Sequence, residues 1–261
     1  MKVVLFCGGY GTRLREYSET IPKPLVEIGY RPIIWHLMKY YAHFGHKDFI
    51  LALGYRGDLI KDYFLQYNEC MSNDFVLTEG GRNVELLSSD IDDWRITFCD
   101  TGPNSNIGQR LLRVRHLLDG DDMFLANYSD GLSDLPLDKQ LAEMNKNGSV
   151  VSFACVRPSY SLSTVETNAK GQVTAIRYMS ESDTRINGGF MILRSEIFNF
   201  IKEGEELVEE PFGRLIEQRK LSAYEYDGFW AAMDTFKDKV QFDRMVSRGE
   251  VPWQVWDAEA K

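Results

Sequence analysis

The chain has 261 residues, of which 44% are hydrophobic, and its 30 basic and 39 acidic side chains give a formal charge of −9. This length and composition suffice for one sizeable buried core. Nucleic acids and anionic membranes attract clustered positive charge, so the acidic balance argues against both as general partners.

The four cysteines show no CxxC pair or other close metal-ligand spacing; they are Cys7, Cys70, Cys99 and Cys155. We expect reduced thiols in a reducing compartment, with a structural disulfide as the less favoured alternative. No apolar run reaches the length of a membrane span, and the apolar N-terminal stretch breaks at Gly8, too early for a secretory signal. The expected location is the cytoplasm.

The first elements in the chain alternate between strand and helix. Lys2 to Cys7 is an apolar run, typical of a parallel strand covered on both faces, and a glycine-rich loop follows it. Apolar residues at helical spacing predict a helix between Pro32 and Gly45, then a strand over 48–53 and an amphipathic helix over 59–67. Residues 68–93 are polar and irregular, and we interpret them as an insertion or a small hairpin.

The alternation continues with strands at 95–99, 123–128 and 150–156 and helices at 111–118 and 137–144. It predicts an α/β fold with a mainly parallel sheet and helices on both faces. The second half is less regular, with expected strands at 173–179 and 190–193 and helices at 207–218 and 236–246. Without a repeat or a linker, the simplest architecture is one domain with a small C-terminal extension.

A possible phosphate-binding loop follows the first strand, with the sequence Gly8-Gly9-Tyr10-Gly11-Thr12-Arg13, and Pro22-Lys23-Pro24 comes next. Glycines let backbone N–H groups approach phosphate oxygens, and Arg13 and Lys23 add positive charge. The glycine spacing fits neither the dinucleotide-binding GxGxxG nor the Walker A motif, which argues against a dinucleotide oxidoreductase. The alternative is a tight turn, but the complete string favours phosphate binding.

Two aspartates are candidate ligands of a divalent metal. Asp130 follows an apolar strand, where a carboxylate suits Mg²⁺, although an Asx turn before Gly131 is the alternative. Asp234 is the second candidate, and its alternative is an N-cap of the helix that follows. Sequence spacing does not show whether the two carboxylates meet.

The string Asn187-Gly188-Gly189 is a candidate ligand contact. The Asn187 amide can hydrogen-bond a phosphate or hydroxyl, and the glycines allow close approach. A β-bulge or a turn is an equally good interpretation of this string.

Taken together, these strings resemble the sugar-1-phosphate nucleotidyltransferase family, and in particular its cytidylyltransferase branch. The similarity covers nearly the whole chain. Its landmarks are the glycine loop through Arg13, Pro22-Lys23-Pro24, Ile33-Ile34-Trp35-His36, Asp100-Thr101-Gly102, Gly108-Gln109-Arg110-Leu111, Asp130-Gly131, Ile186 to Phe190, Gly228-Phe229-Trp230 through Asp234-Thr235, and Pro252-Trp253.

The resemblance implies a Rossmann-like, mainly parallel mixed sheet of the nucleotide-diphospho-sugar transferase type. It implies a single domain, 1–261, with an NTP-binding half (1–135), an acceptor-binding half (136–235) and a C-terminal helix and tail (236–261). Mg²⁺ is the implied cofactor. CTP and a phosphorylated small-molecule acceptor, with glucose 1-phosphate favoured, are the implied substrates, and a homo-oligomer is the implied assembly.

The resemblance also implies residue roles. The implied nucleotide-binding residues are Gly8, Gly9, Gly11, Thr12, Arg13, Lys23, Gln109 and Arg110. The implied catalytic residues are Arg13, Lys23 and Asp130, the implied metal ligands are Asp130 and Asp234, and the implied acceptor contacts are Asn187 and Gly188.

The acceptor half departs from the family pattern. A Glu-Lys-Pro string is expected just before Asn187, but residues 178–183 contain no lysine, and the expected glycine-containing acceptor loop is replaced by residues 161–166. Arg177 or Arg185 is our hypothesis for the missing charge. The alternatives are a different NTP or acceptor, or an inactive nucleotide-binding regulatory subunit, which the retention of Lys23 and both aspartates disfavours.

Overall fold

The computed structural model describes residues 1–10, 21–158, 163–178 and 183–260. Its strands are β1 (Lys2–Cys7), β2 (Glu27–Ile28), β3 (Arg31–Pro32), β4 (Asp48–Leu53), β5 (Phe75–Thr78), β6 (Asn83–Leu86), β7 (Arg95–Asp100), β8 (Met123–Tyr128), β9 (Gly131–Ser133), β10 (Val151–Val156), β11 (Ser163–Thr167), β12 (Val173–Tyr178), β13 (Ile186–Asn187), β14 (Met191–Arg194), β15 (Leu221–Tyr226) and β16 (Trp230–Ala232). Its α-helices are α1 (Ile33–His43), α2 (Gly57–Leu65), α3 (Ile107–Val114), α4 (Leu137–Asn147), α5 (Glu210–Glu217) and α6 (Phe236–Ser247). Short 3₁₀ turns cover Lys23–Leu25, Glu69–Met71, Arg115–Leu117, Ser195–Asn199 and Val255–Ala260.

Eight of the described strands form one mixed sheet in the order β13, β10, β14, β8, β1, β4, β7, and β15 pairs with β10. β1 lies parallel to both β4 and β8, and β4 lies parallel to β7. β14 is antiparallel to β8 and to β10, whereas β15 is parallel to β10. The predicted mainly parallel mixed sheet is therefore confirmed.

Alternate side chains of β1 enter two different cores, as expected for a strand covered on both faces. Val3, Leu5 and Cys7 pack with residues of α1, α2, α4 and α6. Val4 and Phe6 pack with residues of α3 and α5. Helices therefore cover both faces of the sheet, as predicted.

Several boundaries differ from the prediction for local reasons. α3 begins at Ile107 because Asn106 and Gln109 form a capping box there, and a 3₁₀ turn continues it. α5 begins at Glu210, so the predicted start at residue 207 is wrong. β15 was not predicted, because its side chains are only partly buried and carry no strong alternation. The 68–93 segment contains the β5–β6 hairpin that was one of its two interpretations.

The C-terminal extension packs back onto α1. Trp253 is 1% exposed, and its indole nitrogen donates to His36 Nδ1 at 3.3 Å. The four cysteines are unpaired. Within the described ranges, none of the helices combines the length and apolar character needed to cross a membrane.

Candidate active site

The candidate site lies where four parallel strands end together. β7, β4, β1 and β8 are neighbours with the same direction, so the loops that follow them share one edge of the sheet. A cavity of about 290 Å³ opens at this edge. Its described lining consists of Phe6, Cys7, Gly9, Lys23, Pro24, Ile107, Tyr128, Ser129, Asp130 and Asp234.

Lys23 joins the two candidate metal ligands. Its ammonium nitrogen donates to Asp130 Oδ2 at 2.6 Å and to Asp234 Oδ1 at 2.8 Å. The three side chains are 15%, 29% and 15% exposed, in the order Lys23, Asp130, Asp234, so water screens these charges less than at the surface. Burial disfavours the charged ammonium, but the two carboxylates more than offset this effect and raise the pKa of Lys23 above its usual value. The lysine is therefore a cation at neutral pH.

Strand pairing explains why aspartates so far apart in sequence meet. β9 and β16 form an antiparallel ribbon in which Gly131 pairs with Ala232. The ribbon continues through a hydrogen bond from the Met233 amide to the Asp130 carbonyl oxygen at 2.8 Å. Asp130 and Asp234 therefore lie at the same end of the ribbon.

Neither structural alternative for the aspartates accounts for their side chains. The N-cap of α6 is Thr235, which forms a capping box with Asp238. The Asp234 carboxylate instead accepts from Lys23. The Asp130 carboxylate likewise accepts a hydrogen bond from Lys23, which an Asx turn alone does not explain.

The two carboxylates fit a divalent cation. They already converge on one cationic atom, and Mg²⁺ binds through one or two carboxylates together with water and substrate phosphates. No group of three or more metal-binding side chains occurs in the described part of the chain, so an all-protein metal cage is absent there. A site completed by phosphate oxygens is the arrangement that these residues support.

Arg110 fixes the start of the glycine loop through hydrogen bonds of its side chain, which we call the Arg110 brace. Its guanidinium donates to the Gly8 carbonyl at 2.9 Å, the Leu53 carbonyl at 3.1 Å and the Thr101 hydroxyl at 2.6 Å. These acceptors lie at the ends of β1, β4 and β7. A Cβ at Gly8 would lie 2.0 Å from the guanidinium carbon, so the absence of a side chain at Gly8 admits the arginine.

The nucleotide contacts predicted for Gly8, Gly9 and Arg110 stay predictions, and the structure adds only where these residues lie. Gly9 lines the cavity, and among the described residues no atom beyond its chain neighbours lies within 4 Å of a Cβ built on it. Gln109 lies in the capping box of α3, where its side chain accepts from the Asn106 amide at 3.0 Å. Its nucleotide contact stays a prediction. Gly11, Thr12 and Arg13 lie outside the described residues.

A second cavity of about 150 Å³ adjoins the first and shares Tyr128, Asp130 and Asp234 with it. The remaining described lining is Asn127, Gly131, Ile186, Asn187, Gly188, Trp230 and Ala232. The carboxylates therefore lie at the junction of two spaces, as required of groups that act between two bound substrates.

Asn187 and Gly188 are held in place at the second cavity. Asn187 Oδ1 accepts from the Gly189 amide at 2.9 Å. The Gly188 carbonyl accepts from the Trp230 indole nitrogen at 2.8 Å. A Cβ at Gly188 would approach the Trp230 indole nitrogen to 3.0 Å, so the glycine lets the indole pack against this backbone.

The two arginines proposed for the acceptor phosphate are in ion pairs outside the residues that line the cavity. Arg185 contacts Asp227 at 3.0 Å and Glu225 at 3.4 Å, and Arg177 contacts Glu166 at 3.5 Å on the β11–β12 hairpin. Arg185 directly precedes Ile186, which lines the second cavity. The hypothesis that either binds the acceptor stays a prediction.

Sequence reasoning did not select Tyr128 or Trp230 as site residues. Tyr128 lines both cavities, and Trp230 lines the second. The signal for Tyr128 was its place at the end of a strand, two residues before Asp130. Trp230 lay within a string that marked the family resemblance, but aromatic residues fit core packing as readily as ligand contact.

Comparison with known proteins shows the family to which the chain belongs. The model of the family described as "Nucleotidyl transferase" matches residues 2–236. The chain is 36% identical to a protein named probable glucose-1-phosphate cytidylyltransferase from Bacillus subtilis (strain 168), over 98% of this chain and 100% of the relative. The glucose-1-phosphate cytidylyltransferase of Salmonella typhimurium shows the same identity and coverage. A mannose-1-phosphate guanyltransferase from Saccharomyces cerevisiae is 30% identical over 91% of this chain and 62% of the relative.

Solved structures support the fold. A putative glucose-1-phosphate thymidylyltransferase from Bacillus anthracis superimposes with a TM-score of 0.66 at 15% identity, covering 94% of each chain. A UDP-glucose pyrophosphorylase gives a TM-score of 0.67 at 15% identity, covering 95% of this chain and 98% of that one. The predicted nucleotide-diphospho-sugar transferase type of fold is confirmed.

Proposed function

The chain belongs to the nucleotidyl transferase family and is a sugar-1-phosphate nucleotidyltransferase, and from this premise we propose that it condenses CTP with glucose 1-phosphate, using Mg²⁺. The products are CDP-glucose and pyrophosphate. The observation that carries the proposal is the convergence of Lys23, Asp130 and Asp234 at the junction of two cavities.

The reaction is an in-line displacement at phosphorus. An oxygen of the acceptor phosphate forms a bond to the α-phosphorus of the nucleotide while the bond to the bridging oxygen of the β-phosphate breaks, and pyrophosphate leaves with that electron pair. The attacking oxygen is already anionic at neutral pH, so the site needs no strong base. Catalysis then consists of alignment and of neutralising crowded negative charge.

The residues divide this work between the two cavities. In this proposal the nucleotide occupies the first cavity, called the nucleotide-side cavity below. The backbone of Gly8 and Gly9 can approach its phosphates there, and the hydrogen bond from Arg110 to the Gly8 carbonyl fixes the position of that backbone. Lys23, with Arg13 from the glycine loop, would neutralise the phosphates. Asp130 and Asp234 would hold Mg²⁺, which supplies positive charge that polarises the phosphoryl oxygens when bound.

The acceptor occupies the second cavity in this proposal. No lysine, arginine or histidine is among its described lining residues. In this proposal the acceptor phosphate is neutralised by Lys23 and the metal at Asp130 and Asp234, or by Arg185, which directly precedes the lining residue Ile186. Asn187 and Trp230 offer the sugar an amide and an aromatic surface.

The base and the sugar are the open choices within the proposal. CTP and glucose 1-phosphate are supported by the names of relatives that match over their full length. The guanyltransferase relatives and the changed acceptor segments keep another NTP, or another phosphorylated acceptor, as the second candidate. A homo-oligomer in the cytoplasm is part of the proposal, and the apolar side chains of the β5–β6 hairpin, such as Leu77 at 57% exposure, supply a surface that an assembly would cover.

Pyrophosphate release tests the proposal. The purified chain is incubated with each of CTP, GTP, UTP, dTTP and ATP against a panel of sugar 1-phosphates, with Mg²⁺ or with EDTA. We expect release to be highest with CTP and glucose 1-phosphate and to be lost in EDTA. D93N, which removes an exposed carboxylate paired with Lys47, is the control for D130N. Release from none of the pairs, together with tight CTP binding, would favour a regulatory subunit.

A further inference from the structure

The ammonium of Lys23 fills the point on which the Asp130 and Asp234 carboxylates converge. One oxygen of each carboxylate lies within 2.8 Å of the same nitrogen. A divalent cation bound by these oxygens would need the same space and would repel the ammonium. The metal and Lys23 therefore exclude each other from this position.

Displacing Lys23 is unfavourable unless the lysine gains another anion. Its side chain is 15% exposed, and a partly buried charge that loses its partner is strongly destabilised. The nucleotide-side cavity is lined by Lys23 as well as by both aspartates, so a triphosphate bound there would lie within reach of the displaced ammonium. The metal would then replace the lysine at the carboxylates while phosphate replaces the carboxylates at the lysine.

We propose that Lys23 is a surrogate cation that competes with the metal for Asp130 and Asp234, so that the metal and the nucleotide bind cooperatively. The inference rests on the proposed function, because it takes these carboxylates as the metal ligands. By thermodynamic linkage, the factor by which nucleotide tightens metal binding equals the factor by which metal tightens nucleotide binding. The lysine thereby disfavours the metal alone and the nucleotide alone.

The test measures metal binding without nucleotide and without turnover. Mn²⁺ replaces Mg²⁺ as the probe, because the electron paramagnetic resonance signal of free Mn²⁺ reports its binding directly. The full-length wild type is compared with K23M, which removes the competing charge. K220M is the matched control, since Lys220 forms its ion pair with Glu196 elsewhere on the surface.

We expect K23M to bind Mn²⁺ about tenfold more tightly than the wild type, as for the loss of a partly buried competing ion pair. K220M should match the wild type. CTP should tighten Mn²⁺ binding to the wild type. It should have a smaller effect on K23M, because that variant has no ammonium to move from the carboxylates to the phosphates.

Thermal unfolding supplies a second readout. In EDTA, K23M removes the ammonium that lies between the two carboxylates, so its Tm should fall below that of the wild type. Mn²⁺ should then raise the Tm of K23M more than that of the wild type, because ligand stabilisation grows with affinity. If K23M folds poorly, K23Q permits the same comparison with a neutral hydrogen-bond donor between the carboxylates.

The outcomes separate this inference from the function on which it rests. Mn²⁺ binding no tighter in K23M and K23Q than in the wild type overturns the competition, even if the enzyme transfers nucleotides and D130N and D234N lose Mn²⁺. Tighter binding in K23M supports the competition, even if no substrate pair gives pyrophosphate. Unchanged Mn²⁺ binding in D130N and D234N would overturn the metal assignment and the competition together.

Discussion

The Met233 amide donates to the Asp130 carbonyl oxygen at 2.8 Å, and this bond extends the β9–β16 ribbon to the two candidate metal ligands. It places Asp130 and Asp234 at the same end of a short antiparallel pair. The site therefore depends on backbone pairing across about a hundred residues of intervening chain, in addition to the side chains themselves.

Removing either carboxylate should stop the reaction without unfolding the protein. D130N and D234N keep side-chain volume but lose the charge that attracts a divalent metal. We expect turnover to fall by about a hundredfold or more in each, as when a charge-stabilising group is lost from an active site. Pyrophosphate release gives the rate, and circular dichroism checks the fold. Near-normal Mg²⁺-dependent turnover in either variant removes that residue from the metal site.

Gly8→Ala should destabilise the protein even without ligand. The new Cβ would lie 2.0 Å from the Arg110 guanidinium carbon and would displace the arginine from its carbonyl partners. We expect a loss of about 1–3 kcal/mol in the free energy of unfolding, typical of overpacking. Gly9→Ala is the matched control, because its Cβ would meet no atom within 4 Å in the described part of the chain, apart from its chain neighbours.

Urea unfolding of the ligand-free proteins measures both glycine variants. Equal stability of Gly8→Ala and Gly9→Ala would show that the loop shifts to accommodate the new Cβ at little cost in free energy. Arg110 would then not hold the loop rigidly. Gly9→Ala should affect CTP affinity alone, since Gly9 lines the nucleotide-side cavity.

His36 should make the fold sensitive to acid. Burial lowers the pKa of this imidazole from 6.5 to about 4, and the ring accepts from Trp253 through Nδ1. The folded state binds the proton less readily than the unfolded state. The contribution of the neutral His36 imidazole to the free energy of unfolding is therefore complete above about pH 6.5 and is lost as the pH falls towards 4. Its full size is on the order of 3 kcal/mol.

The free energy of unfolding measured between pH 4.5 and 7 checks this. H36Q retains a donor and an acceptor but does not titrate, so its stability should depend less on pH than that of the wild type. His46 has a pKa lowered to about 4 by burial and by the N-terminal ammonium, so some dependence should remain. H116Q, at an exposed position, should behave as the wild type. An unchanged pH slope in H36Q would contradict the account.

The acceptor phosphate can be assigned by comparing two arginines. If Arg185 binds it, R185A should raise the KM for the sugar 1-phosphate by about tenfold and leave the KM for CTP unchanged, as for a lost charge-assisted hydrogen bond. R177A tests the other candidate, whose side chain pairs with Glu166 on an exposed hairpin. Full acceptor affinity in both variants would end the hypothesis, leaving Lys23 and the metal at Asp130 and Asp234 to neutralise that phosphate.

The central strands were predictable because they are continuous apolar runs bounded by polar or glycine residues. β1, β4 and β8 match their predicted bounds. The meeting of Asp130 with Asp234 was not predictable from spacing, since β9 and β16 have three residues each and pair over a long sequence separation. The hydrogen bonds of Arg110 were not predictable from the sequence for a similar reason, because their acceptors come from three different strand ends.

The formation of CDP-glucose tests the central claim most directly. The purified wild type is incubated with CTP, glucose 1-phosphate and Mg²⁺, and the phosphorus resonances are followed by nuclear magnetic resonance. Signals of a CDP-sugar and of pyrophosphate, growing in equal amounts and absent in D130N, are the predicted result. Unchanged CTP and glucose 1-phosphate resonances, with a protein shown to be folded and able to bind CTP, would contradict it.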